Sequence, residues 1–264
     1  MAKARERQKM IRDLLASDGI VYVTNLATRL GVSEMTVRRD LTDLEHYGIA
    51  RRTHGGAEKI VSRSYEPPFE YRMAEASEDK QRIAREAVSF VSEGDTIAID
   101  SGTTTLEFAR LLSDFRNLTV VTPSLHVAAV FLSHPTIRVL VSGGEIRKHE
   151  GSLVGDLTRQ FFDHLYFDTF FISTAAMSEE AGLTEYSLED TAIKHQIMLR
   201  SKRTIALMLS NKFDKIAFSS VCSLADIAAL VTDREPPPEL ERALIESRTE
   251  IRTVPPEGEE AWIG

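Results

Sequence analysis

The chain has 264 residues, 42% of them hydrophobic, with 32 Lys+Arg against 40 Asp+Glu and one Cys. That length exceeds a single small module and buries enough surface to need no metal or disulfide staple; one thiol excludes an intramolecular disulfide, so Cys222 reads as inert in a reducing compartment. No apolar run approaches the ~20 residues that span a bilayer, and the charged stretch 1–12 lacks the apolar core of a signal peptide, so a soluble, cytoplasmic protein with no membrane partner is expected. The net charge of −8 hides an asymmetry: residues 1–59 hold 11 Lys+Arg and 8 Asp+Glu, a net of +3, which leaves −11 on the rest. A basic head on an acidic body permits local attraction to phosphates.

In the head, Met10, Ile11, Leu14 and Leu15 recur at helical spacing within 5–16, and Asp18-Gly19 ends that helix. Thr24 is the expected N-cap of a short helix over 25–30, stopped by Gly31, and Ser33 that of a third helix over 34–47, ended by Gly48. Met35, Val37, Leu41 and Leu44 suit its buried side, leaving Thr36, Arg38 and Arg39 on the other faces. Two helices around a glycine turn form a helix-turn-helix unit, whose second helix enters the major groove by its N-terminal turns. Residues 49–57 (IARRTHGGA) then form a short basic hairpin suited to a phosphate backbone. Residues 60–76, with Pro67-Pro68, read as a partly extended linker.

Residues 5–57, and above all Leu30-Gly31-Val32-Ser33-Glu34-Met35-Thr36-Val37-Arg38-Arg39-Asp40-Leu41 and Arg51-Arg52-Thr53-His54-Gly55-Gly56, closely resemble the winged helix-turn-helix of DeoR-family bacterial transcription regulators. The resemblance implies a double-stranded DNA operator as partner. Ser33, Thr36, Arg38 and Arg39 are the expected DNA contacts, Arg38 and Arg39 to guanine edges or to phosphates, with Arg51, Arg52 and His54 along the backbone. Asp40 is expected to be structural, pairing with a nearby Arg or facing solvent.

Over 77–253, short apolar runs rich in β-branched or aromatic residues (96–100, 118–122, 137–142, 167–173, 204–209, 228–232) alternate with helical segments (78–91, 104–112, 125–132, 157–165, 188–199). That alternation predicts an α/β domain with a mostly parallel sheet covered by helices. Ligands of such sheets gather beyond the carboxyl ends of the strands. Three strand ends carry small polar residues: Asp100-Ser101-Gly102-Thr103-Thr104-Thr105, Thr122-Pro123-Ser124 and Ser142-Gly143-Gly144-Glu145. The first opens a helix, where free N–H groups favour an anion such as phosphate. Helix capping alone would also account for these residue types.

The segments Asp100-Ser101-Gly102-Thr103-Thr104, Val141-Ser142-Gly143-Gly144-Glu145-Ile146-Arg147, Gly151-Ser152-Leu153-Val154-Gly155 and Gly182-Leu183-Thr184 are similar to the DeoR-family effector domain. That domain is related in fold to ribose-5-phosphate isomerase and coenzyme A transferases, so a phosphorylated sugar or related anionic metabolite is the implied effector. Glu189, Lys194 and Lys212 match charged pocket positions of that relationship, and Ser124 and Arg147 join the expected site. The chain departs from the family where Ser173-Thr174-Ala175-Ala176-Met177 replaces a Gly-Ala-Asp-Gly-like stretch, where Leu209 stands for an Asp, and where Glu185-Tyr186-Ser187 replaces Thr-Pro-Asn.

The resulting expectation is a repressor of carbohydrate-metabolism genes that binds operator half-sites as a homo-oligomer, dimer or tetramer. Alternatives are a sugar-phosphate isomerase-like enzyme with an appended DNA-binding domain, and a ligand-free architectural DNA-binding protein. An isomerase needs a base at the sugar carbons, and the carboxylate missing at Ala175 removes the best candidate. The seven histidines are dispersed, so neither a metal site nor a cofactor is expected, and Trp262 in the tail (254–264) is expected to pack locally or at an oligomer contact.

Overall fold

The helical spacing of Ile11 and Leu15 is realised in α1 (Ala2–Asp18), where both side chains enter the core of the head. The computed structural model describes residues 2–60 and 62–256, which divide between Tyr71 and Arg72 into two compact units; Trp262 lies outside the described residues. In the first unit, α1 is followed by β1 (Ile20–Tyr22), α2 (Val23–Leu30), α3 (Glu34–His46), β2 (Ala50–Arg52) and β3 (Gly56–Lys59). Val37, Leu41 and Leu44 of α3 meet Ile11, Leu15, Val21, Val23 and Leu26 in one core. Bidentate bonds from Arg7 to Asp40, at 2.5 and 2.9 Å, tie α1 to α3, giving the buried Asp40 the partner an unpaired carboxylate would lack.

Two local expectations fail. The second helix starts at Val23, with Tyr22 rather than Thr24 at its cap position and no side-chain cap bond. The strand β1, too short at three residues to read from alternation, takes the chain directly into it and pairs antiparallel with β3. That pairing brings Gly56 so close that a Cβ would stand 1.8 Å from the Val21 carbonyl oxygen, so only glycine fits. Met35 lies on the exposed face of α3 and not on its buried side.

The linker range contains a helix, α4 (Phe69–Ala74), in which the chain passes from one unit to the other. The second unit runs α5 (Ser77–Ala87), β4 (Thr96–Ile99), α6 (Thr103–Arg110), β5 (Thr119–Thr122), α7 (Leu125–Val130), β6 (Arg138–Val141), β7 (Glu145–Arg147), β8 (Ser152–Val154) and α8 (Asp156–Phe162). It continues through β9 (Thr169–Ile172), β10 (Ala176–Ser178), β11 (Gly182–Glu185), α9 (Leu188–Met198), β12 (Thr204–Met208), β13 (Ser219–Cys222), β14 (Ala229–Thr232), α10 (Pro238–Glu246) and β15 (Glu250–Thr253). Seven strands form one parallel sheet in the order β15-β14-β12-β9-β4-β5-β6.

Helices on both faces explain why the central strands are continuous apolar runs, with every residue of β9, β12 and β14 buried. Phe162, Phe167, Phe170, Ile193, Ile197, Leu230 and Leu244 fill the larger core cluster. A small antiparallel sheet, β10-β11-β13, and the β7–β8 hairpin complete the unit. A parallel sheet puts all its strand ends on one edge, so Asp100, Ser124, Gly143, Ser173 and Lys212 belong to loops on that edge.

Candidate functional site

Ser33 caps α3: its hydroxyl accepts from the Thr36 amide at 3.2 Å and lies 2.9 Å from the Thr36 hydroxyl. The exposed strip that follows carries Arg38, 3.4 Å from Glu34 one turn back, and Arg39, which has no intramolecular partner among the described residues. His54 stands exposed in the tight β2–β3 turn, closed by the Thr53 amide on the Gly56 carbonyl. Arg51 pairs with Glu58 across that hairpin. Arg52 is turned inward, donating to the Arg38 carbonyl (3.1 Å), the Thr42 hydroxyl (3.0 Å) and the Gly56 carbonyl (3.3 Å). It locks the hairpin to α3 and thereby sets the angle between the two.

In the second unit, charges converge on Ser173 at the end of β9. Asp100 accepts from the Ser173 amide at 3.1 Å and from the Ser101 amide at 2.8 Å. Lys194, wholly enclosed on α9, pairs with Asp100, lies 3.4 Å from Glu185 and donates to the Ser173 carbonyl at 2.9 Å. Burial alone would lower the Lys194 pKa, but Asp100, Glu185 and Asp190 together hold it above the ordinary lysine value. Lys194 is therefore a fixed cation and no proton acceptor. Lys212 reaches the same junction, donating to the Thr174 carbonyl at 2.6 Å, with the Ser173 hydroxyl 3.5 Å away.

A second network adjoins the first through Asp190, one turn before Lys194. Asp190 accepts from Arg147 at 2.9 Å and from the Ser152 hydroxyl at 3.0 Å, which fixes the β7–β8 hairpin against α9. Glu189 is exposed; its own amide, the Ser187 hydroxyl and the Arg147 charge hold its carboxyl below the usual range. Gly144 has φ +131°, and a Cβ there would meet the Thr158 hydroxyl at 2.0 Å, so the turn after β6 demands glycine. Thr158 in turn donates to the Gly143 carbonyl at 2.6 Å.

The polar strand ends divide by role. Thr103 and Thr104 lie buried in the first turn of α6 after its cap residue Gly102, whereas the Thr105 hydroxyl is bonded to the carbonyls of Asp100 (2.9 Å) and Gly102 (3.0 Å). Ser124 caps α7 by accepting from the Val127 amide at 3.2 Å. Capping accounts for the Ser124 hydroxyl, and donation to the two preceding carbonyls accounts for that of Thr105.

Sequence reasoning missed Glu185 as a partner of Lys194, because the substituted Glu185-Tyr186-Ser187 stretch matched no family pattern. It also missed Lys80. This buried lysine of α5 donates to the Arg72 and Glu75 carbonyls, and burial, then repulsion from Lys212, brings its pKa down to about 8. Beside it, Arg72 pairs with the buried Glu150 of the β7–β8 hairpin. An apolar helix face with one Lys or Arg gives no sequence signal of such carbonyl clamps.

Residues 75–234 match the DeoR C terminal sensor domain and residues 7–63 the DeoR-like helix-turn-helix domain. The chain belongs to the DeoR family. The HTH-type transcriptional regulator GolR of Listeria innocua is 32% identical over 230 residues, covering 87% of this chain and 91% of its own length. The Glycerol-3-phosphate regulon repressor of Escherichia coli is 29% identical over 249 residues, 94% of this chain and 98% of the relative. Among solved structures, a D-ribose-5-phosphate isomerase in complex with phospho-erythronic acid gives a TM-score of 0.40 at 17% identity, over 52% of this chain and 54% of the other. This DeoR-family chain is thus a DNA-binding transcriptional regulator, and the Listeria and Escherichia coli relatives are named as a regulator and a repressor, not as enzymes. Among the described residues no helix is long and apolar enough to cross a membrane, and no cluster of His, Cys, Asp and Glu could hold a metal ion.

Proposed function

We propose that the chain is a cytoplasmic repressor of carbohydrate-metabolism genes, released from or retained on its operator by a phosphorylated sugar or related anionic metabolite. The observation that carries this reading is the gathering of Asp100, Lys194, Glu185 and Lys212 around Ser173, beside the first turn of α6. Carboxylates accept hydrogen bonds from sugar hydroxyls, while Lys212 and the α6 amides favour a phosphate. The name of the Escherichia coli relative, a glycerol-3-phosphate regulon repressor, agrees with that chemistry.

In this reading Thr36, Arg38, Arg39, Arg51 and His54 address DNA, and Ser33 and Arg52 hold the elements that carry them. Two heads of a homo-oligomer take two half-sites. The effector acts through segment 72–80, which Lys80 and the Arg72–Glu150 pair attach to the sensor unit. A differential of ~1–3 kcal/mol between two states suffices for such coupling. Footprinting on DNA upstream of the chain's own gene, repeated with a panel of sugar phosphates, tests the proposal. Protection of a two-fold site that one phosphorylated compound alters supports it; no preference over random competitor DNA overturns it.

A further inference from the structure

The first turn of α3 presents a side chain that neither the core of the head nor its ion pairs explain. Met35 is 74% exposed, although Val37 and Leu41 of the same helix are fully buried. Among the described residues of the head it is the most exposed large apolar side chain, beyond Met10 at 51% and Tyr22 at 49%. Leaving a thioether side chain in water forfeits the stabilisation that burial would bring. Its neighbours are chosen for a polar surface: Thr36 beside it, and Arg39 four residues on, so that Met35 and Arg39 stand side by side on one strip. Glu34, the acidic residue nearest this strip, faces Arg38 at 3.4 Å.

We propose that Met35 reads a thymine: its thioether chain packs on the C5-methyl group of one T per half-site, next to the base or phosphate taken by Arg39. The inference rests on the reading of α3 as the recognition helix. In the major groove only thymine offers a methyl group, and an apolar side chain on the inserted turn is the group that distinguishes it. Methionine suits the task because its unbranched, polarizable chain adapts to a flat methyl surface. Met35 is the second residue of α3, in the N-terminal turn that a recognition helix directs at base edges, whereas Leu41 and Leu44 further along are fully buried in the head.

The test uses the full-length chain and a duplex obtained from a random pool by repeated rounds of binding and amplification. Each thymine of the selected site is then replaced singly by uracil, which removes the methyl group and leaves pairing intact. At one thymine per half-site, uracil weakens wild-type binding about fourfold, the value of one methyl group taken from water. Met35→Ala weakens binding to the thymine site by a similar factor, becomes indifferent to uracil at that position, and unfolds at the wild-type temperature. Indifference of the wild type to every substitution, or an undiminished uracil effect in Met35→Ala, overturns the inference alone. Failure of any sequence to enrich overturns the reading of α3 and the inference with it.

Discussion

Replacing Lys194 by Met tests whether the charge cluster of the sensor unit is as tightly coupled as its geometry indicates. Lys194, Asp100 and Glu185 have side chains only 3%, 2% and 8% exposed. Methionine fills much the same space but leaves two buried carboxylates without their cation. Removing one partner of a buried pair costs ~3–5 kcal/mol, and for a unit of this size each kcal/mol lowers Tm by roughly 2–4 °C. The variant should therefore melt roughly 6–20 °C below the wild type.

Its pH dependence has a defined sign. The Lys194 pKa is raised in the folded state, so its stabilisation is complete below the unfolded lysine value of about 10.4 and fades only above it. The wild-type contribution is thus constant from pH 5 to 8. Urea unfolding followed by far-ultraviolet circular dichroism at several pH values measures both effects, and adding Asp100→Asn to Lys194→Met should recover part of the loss. A deficit under about 1 kcal/mol would refute the reasoning, since buried unpaired charge is the source of the larger figure.

Other perturbations separate the two units. Arg39→Ala should cost ~1–3 kcal/mol in operator affinity if its guanidinium takes a guanine edge, with no change in the thermal stabilisation that an effector confers. Lys212→Met should do the reverse, abolishing stabilisation by sugar phosphates in a thermal-shift assay while DNA binding without effector persists. Lys80, whose pKa falls to about 8, binds fewer protons folded than unfolded between that value and about 10.5, so stability should rise with pH across that window by roughly 3 kcal/mol. Lys80→Met should flatten the rise in a urea-unfolding series.

Each of the six apolar runs of the sensor unit became a strand of the parallel sheet; five were readable because strands buried on both faces leave continuous β-branched and aromatic sequence, while the sixth, β6, is an edge strand only partly buried. The edge strand β15 was not readable, since Glu250 and Arg252 break its apolar pattern where one side meets solvent. The three-residue strands β1, β2, β7, β8 and β10 are shorter than any periodicity window, and only β2 was anticipated, as part of the basic hairpin. Site residues divide likewise. Lys194 and Lys212 were singled out from family positions and both reach the Ser173–Thr174 junction, but Glu185 stands where the chain departs from the family, and its contact with Lys194 crosses nine residues of chain. The inward turn of Arg52 is equally invisible in Arg51-Arg52, because neighbouring residues of a strand point to opposite faces and the sequence does not say which faces α3.

That division of the arginines bears on how a chain of net charge −8 can hold a polyanion. In the head, Arg7 is committed to Asp40 and Arg52 to carbonyls, while Arg38 and Arg51 face Glu34 and Glu58. The Arg38–Glu34 pair is about half exposed on both sides, so it contributes at most ~1 kcal/mol and can exchange its carboxylate for a phosphate at little cost. The Arg7–Asp40 pair cannot, because Asp40 would be left buried and charged. Of these four arginines, only Arg38 and Arg51 are thus available to phosphates. In the proposed reading, operator affinity comes from base edges met by the exposed strip of α3 and from joining two heads of a homo-oligomer, and a system built on two joined contacts is one that a small change in their spacing can switch.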